Sequence, residues 1–187
     1  GEIGLNNITA NEEWVLREQL ALAKEFGIPV LIHTPHNNKL EGTLRIIAMV
    51  KEVGVKPELV DIDHNTEETI QHALDAGCWA GITVYPFTKL SPERAANILE
   101  EHGASRTMVN SSADWGPSDV LSVPRVVLEL RRRGWDDARI EKAFDALRRA
   151  EPEGVFAQKD AALLRYAHKL TVAPGRMEKT DIDAMRA

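Results

Sequence analysis

A chain of 187 residues with a formal net charge of −6, 43% apolar and 28% charged, has an ordinary globular composition and room for one domain with a short appendage. No apolar run approaches the roughly 18 residues that cross a bilayer, and no basic-then-apolar leader opens the sequence. The lone cysteine, Cys78, excludes an intrachain disulfide and fits a reducing, cytoplasmic setting, while the acidic balance speaks against a broad nucleic-acid surface but leaves room for a local basic groove.

The first strand is expected at 1–5 (GEIGL), read as a buried strand with an acid inside it. A helix follows over 11–26. Thr9 stands three residues before Glu12, the capping-box spacing, and Leu16, Leu20 and Ala23 fall on one face. Gly27 ends this helix and Pro29 blocks its continuation. The run IPVLIH at 28–33 reads as a strand buried on both faces. A helix is expected at 40–53, a strand at 58–62, a helix at 66–76 and a strand at 78–84. Ser91, Pro92 and Glu93 open a further helix with a cap, a proline in its first turn and an acid beside the positive end of the dipole. A strand at 106–110 and helices at 118–133 and 136–150 complete the series. Strand then helix, repeated five times, implies βαβ units on a parallel sheet. Five units are too few for a closed (β/α)₈ barrel and would suit an open doubly wound sheet, but no glycine-rich phosphate loop follows any strand, so a dinucleotide- or nucleotide-binding reading lacks its chemistry.

Polar residues cluster where these strands end. The first strand holds Glu2, the second ends in His33, the third ends in Asp63 and His64, and Asp114 follows the fifth. Carboxylates and imidazoles are ligands for divalent ions, and in a parallel barrel the strand C-termini converge on one mouth. An ion held there would make hydroxide available near neutral pH. One histidine at a strand end is more often a hydrogen-bonded structural residue than a ligand. Four ligand types at successive strand ends weigh the other way. Glu2 is the sharpest case, because a carboxylate in an apolar strand is costly if buried unpaired.

Other residues read less sharply. His36, in the loop after the second strand, can touch substrate or solvent. Lys89, after the fourth strand, can meet an anionic substrate, although a solvated lysine is the simpler expectation. Trp115 can roof the pocket or serve packing alone. His72 and His168 read as surface residues, His102 as a helix-end residue and Cys78 as a small core residue.

These segments resemble the TatD-type metal-dependent hydrolases of the amidohydrolase superfamily, over residues 1 to about 147. GEIGLN is similar to that family's fourth-strand motif, with Asn6 where the family usually has Asp. IPVLIHTP resembles the fifth strand, VDIDHN the sixth, and MVNSSADWGPSD the segment with the eighth-strand aspartate. The wording DHNTEET and NSSADWG is closer to the branch called EboC-like. The resemblance implies a partial (β/α)₈ TIM barrel, strands four to eight, over 1–150. It implies Glu2 bridging two metals, His33 and His64 holding one, and Asp114 holding the other and orienting or deprotonating the nucleophilic water. The ions would be Zn, Mg or Mn, one or two in number, and the substrate a small-molecule or nucleic-acid phosphoester. The family's first-strand His-x-His pair has no counterpart here, since His33 and His36 are spaced His-x-x-His. The sequence therefore reads as the C-terminal five-eighths of a barrel. One tight metal, impaired activity and self-association through the open edge at 1–5 are expected.

The segment 157–187 resembles a helical piece of the AhpD-like, peroxidase-related proteins, but their reactive cysteines are absent from it. It is expected to form a helical tail, 151–187, after a linker at EPEG. A noncatalytic barrel-fragment scaffold or partner protein, and a fragment of a fusion with an AhpD-like protein, are the competing readings.

Overall fold

A computed structural model describes residues 2–112 and 118–144. Asp114, Trp115, His168 and the tail expected at 151–187, with its AhpD-like resemblance, lie outside the described residues. The architecture is α/β. Strands β1 (Glu2–Gly4), β2 (Val30–His33), β3 (Val60–Asp63), β4 (Trp79–Thr83) and β5 (Thr107–Asn110) form one sheet in the order β1-β2-β3-β4-β5. Every pairing is parallel. Helices α1 (Ala10–Phe26), α2 (Lys39–Val53), α3 (Ile70–Asp75) and α4 (Pro92–His102) connect successive strands, and α5 (Ser122–Arg132) and α6 (Asp137–Phe144) follow β5. This is the strand arrangement of a partial TIM barrel, with β1 and β5 at the two edges of the described sheet. Among the described residues no helix is long and apolar enough to cross a membrane.

Local chemistry explains most element ends. Thr9 and Glu12 form the reciprocal capping box, and Gly27 closes α1 in the left-handed conformation. Ser91 caps α4, with Pro92 in its first turn. The second strand starts later than the apolar run suggests. The Ile28 amide donates back to the Ala23 carbonyl of α1, and Pro29 has no N–H for the ladder. Expected strand 58–62 is instead a 3₁₀ turn at Pro57–Leu59 followed by β3. Expected helix 66–76 shrinks to Ile70–Asp75, because the Thr69 hydroxyl donates to Asn65 Oδ1 and accepts from the Thr66 amide, holding a tight turn ahead of the helix.

The strands sort their residues by face. Ile32, Val60, Ile62, Ala80 and Ile82 are fully buried in one apolar core with Leu16, Leu20, Ile46, Ile70 and Ile98 of the surrounding helices. The register puts the alternate set, including His33, Asp61, Asp63, Gly81, Thr83 and Asn110, on the opposite, inner face. The first strand departs from expectation. β1 is exposed to half-buried, not buried, because it forms the sheet edge, and burial resumes only at Leu5.

Candidate metal centre and active-site cleft

The C-terminal ends of β2 and β3 deliver His33 and His64 to the same point, and β1 brings Glu2 beside them. Oε1 of Glu2 lies 3.3 Å from His33 Nδ1 and 3.1 Å from His64 Nε2. The two rings meet edge to face, with centroids 4.9 Å apart. His64 reaches this position through a left-handed backbone (φ 62°), a conformation that a residue with a side chain rarely adopts and that clusters at functional sites. Its own amide donates to Asp63 Oδ1 at 2.7 Å, which helps hold the turn.

Burial lowers the pKa of His33, and the Glu2 charge only partly offsets it. Burial also pushes His64 down to about 4, against the opposing pull of Asp63. Both imidazoles are therefore neutral near pH 7 and own one N–H each. Their hydrogen-bond partners assign that proton. His33 Nε2 faces Asn6 Oδ1 at 2.8 Å. His64 Nδ1 faces Thr83 Oγ1 at 2.6 Å, and the Thr83 hydroxyl donates to Asp63 Oδ1 at 3.2 Å. With the protons on those outer nitrogens, the lone pairs of His33 Nδ1 and His64 Nε2 both face the Glu2 carboxylate.

Three electron-rich atoms from three strands thus converge, all within 4.8 Å of one another. Such a set favours a cation, and the Lys89 ammonium already stands 2.9 Å from His64 Nε2. A tetrahedral ion bound at about 2.0–2.2 Å separates its ligands by about 3.4 Å, close to the two distances measured from Glu2. The donor set, one carboxylate and two neutral imidazoles backed by Asn6, Thr83 and Asp63, fits a divalent ion such as zinc. Asp63 serves as the anchor of the set. Its Oδ1 also accepts from Asn110 Nδ2 at 2.8 Å, and Gly81 makes room for it, since a Cβ there would stand 2.3 Å from that oxygen.

A small cleft of about 50 Å³ opens beside the two histidines. His36, exposed, lies on its wall, as does half-buried Lys89. Lys89 is not the solvated residue that its sequence context suggests. Its Nζ lies 2.9 Å from His64 Nε2, 3.0 Å from Nδ1 and 3.1 Å from Ser112 Oγ. A second ammonium, unnoticed in the sequence, enters the same cleft. Lys39, the first residue of α2, donates to Thr34 Oγ1 at 3.0 Å. Burial and then the Lys89 charge lower its pKa to about 8. The signal that could have found it is its place six residues after His33, at the start of the helix that follows a ligand-bearing strand.

The TatD-related DNase family model matches residues 1–117. The chain belongs to this family. It is 37% identical, over 140 residues, to an uncharacterized metal-dependent hydrolase of Methanocaldococcus jannaschii; that match covers 75% of this chain and 55% of the relative. It is also similar to the crystal structure of a TatD-like protein from Archaeoglobus fulgidus, with a TM-score of 0.55, 31% identity, and coverage of 76% of this chain and 57% of that one. The fold alone is shared with the phosphotriesterase homology protein of Escherichia coli, solved with phosphate in its active site, at a TM-score of 0.61 and 19% identity, covering 76% and 55%. The chain therefore spans a little over half the length of these relatives.

Proposed function

We propose that this TatD-family chain is a metal-dependent hydrolase that cleaves a phosphoester through a metal-activated water. The observation that supports it most is the convergence of Glu2, His33 Nδ1 and His64 Nε2, with both imidazoles neutral and their outer nitrogens engaged. When bound there, a divalent ion supplies a lowered pKa for water and charge neutralisation for a phosphoryl oxygen.

The chain's own residues do the rest. Glu2, His33 and His64 hold the ion, and Asn6 and Thr83 fix the tautomers that make the imidazoles donors to it. Asp63 orients His64 from below. Lys89 and His36 bind the substrate's anionic group from the cleft wall. Asp114 and Trp115, outside the described residues, enter this reading through the family resemblance: Asp114 as a further ligand that orients or deprotonates the attacking water, Trp115 as a roof over the substrate. The lone cysteine supports a cytoplasmic setting.

The test is elemental analysis beside hydrolysis of a generic phosphodiester, with and without chelator. The reading expects one firmly held ion per chain and turnover that chelation abolishes. Hydrolysis that persists after the ion is stripped, or a chain that holds no ion, contradicts it.

A further inference from the structure

The residue that follows His64 is almost fully buried and engages its whole side-chain amide. Asn65 is 1% exposed. The paired register of β3 and β4 ends at Ile62 and Ala80, and beyond it Asn65 takes over the joining of the two strands. Its backbone N–H donates to the Gly81 carbonyl at 2.9 Å. Its Nδ2 donates to the Ile62 carbonyl of β3 at 2.6 Å and to the Gly81 carbonyl of β4 at 3.2 Å. Its Oδ1 accepts from the Thr69 hydroxyl at 3.0 Å. The Thr66 amide donates to that same hydroxyl, so the Thr69 proton is the one that points at Asn65. Two carbonyls on one side and a hydroxyl donor on the other leave the Asn65 amide a single orientation.

His64 stands between this clamp and Asp63, whose Oδ1 accepts the His64 amide. Its left-handed backbone, φ 62°, is one that a residue with a Cβ keeps only when its surroundings hold it. We infer that Asn65 is a positioning residue of the metal centre: by tying the ends of β3 and β4 to one buried amide, it holds His64 in the turn that delivers Nε2 to Glu2 and Nδ1 to Thr83. It acts through the backbone of its neighbour and not as a ligand. Its shape alone does not suffice. Aspartate fills the same volume but sets an oxygen against the Ile62 and Gly81 carbonyls with no proton to offer them. The inference rests on the proposed metal-binding role of Glu2, His33 and His64 and adds what aims His64, yet the ring's tautomer reports on it in the metal-free chain.

The experiment records long-range ¹H–¹⁵N spectra of the histidine rings in the metal-free whole chain near pH 7, beside zinc affinity by chelator competition and melting temperature. In the parent, His64 should show a single tautomer with its proton on Nδ1. Asn65→Asp and Asn65→Ala should each average the two His64 tautomers, leave His33 protonated at Nε2, and weaken zinc binding about tenfold. Thr69→Val, which removes the hydroxyl and keeps Asn65, should move both readouts in the same direction. Thr69→Ser, which restores the donor, should return both to the parent's values. Ile98→Ala, a core truncation in α4, should lower the melting temperature and leave the His64 tautomer and zinc affinity as they are in the parent. A fixed Nδ1–H tautomer with parental zinc affinity in Asn65→Ala and Thr69→Val, or an equal loss in Ile98→Ala, would overturn the positioning role. If the Asn65 variants fail to fold, the Thr69 pair decides by the same readouts. A parent that binds no zinc, with a His64 tautomer that still depends on Asn65, would count against the hydrolase reading and leave the positioning of His64 supported.

Discussion

The His33 and His64 rings meet at 84°, one from the end of β2 and the other from just beyond the end of β3, and each turns a different nitrogen toward Glu2. That asymmetry follows from what stands behind each ring: an amide oxygen, Asn6 Oδ1, behind His33 Nε2, and a hydroxyl, Thr83 Oγ1, behind His64 Nδ1. Removing an outer partner should loosen the ligand without touching it. Asn6→Ala and Thr83→Val are each expected to weaken zinc binding about tenfold, read by competition with a chromogenic chelator. Asn6→Asp, which restores an acceptor, should bind at least as tightly as the parent. Equal affinity in all of these variants would show that the tautomers are set elsewhere.

Asp61 gives the fold a pH dependence. It is 6% exposed on the inner face of β3, and neither carboxylate oxygen has a hydrogen-bond partner among the described residues. Burial, and then the charge of Asp63, raise its pKa to about 8. Because the folded-state value lies above the unfolded one, the neutral form favours folding. Its contribution is complete below about pH 4 and declines as pH rises toward 8, by about 1.4 kcal/mol per pH unit between the two values. Asp61→Asn should flatten that decline and melt higher than the parent at pH 8. A parent and variant with parallel melting curves across this range would refute the assignment.

Two glycines are expected to be intolerant for different reasons. A Cβ at Gly4 would stand 2.2 Å from the His33 carbonyl oxygen, and the backbone there is at φ +154°, so Gly4→Ala should push β1 off β2. At Gly81 the obstacle is a side chain, Asp63 Oδ1. Gly81→Ala should therefore displace the anchor of His64 and reduce metal affinity. Each substitution should also lower stability by about 1–3 kcal/mol in urea unfolding. An unchanged unfolding midpoint for Gly4→Ala would contradict the close approach of β1 and β2.

The edge position of β1 predicts association. Its outer N–H and C=O groups face no strand of the described sheet, and such an edge recruits other chains. Light scattering should show a mass rising with concentration. A constant monomer mass at high concentration would count against an open edge.

The parallel order of the sheet was legible because each apolar run is followed by a helical pattern; Thr9 marks the start of α1, and Ser91 with Pro92 that of α4. The grouping of Glu2, His33 and His64 followed from the same regularity, since strand ends share a mouth. Boundaries were read less well where side chains outcompete the backbone pattern, as at Thr69, or where proline withholds a donor, as at Pro29. The partial exposure of β1 could not be read from an apolar run, because burial depends on which neighbours flank a strand. Lys39 was invisible for a related reason. On a helical pattern it looks like any solvated first-turn lysine, and only the packing of the loop after β2 turns it inward.

The most direct test of the whole account is metal stoichiometry in the full chain and in His64→Ala. After dialysis against trace zinc, elemental analysis should find about one ion per chain in the parent and a large loss in His64→Ala, with circular dichroism unchanged. Unaltered metal content in His64→Ala, or a parent that holds no ion, would contradict a centre built from Glu2, His33 and His64.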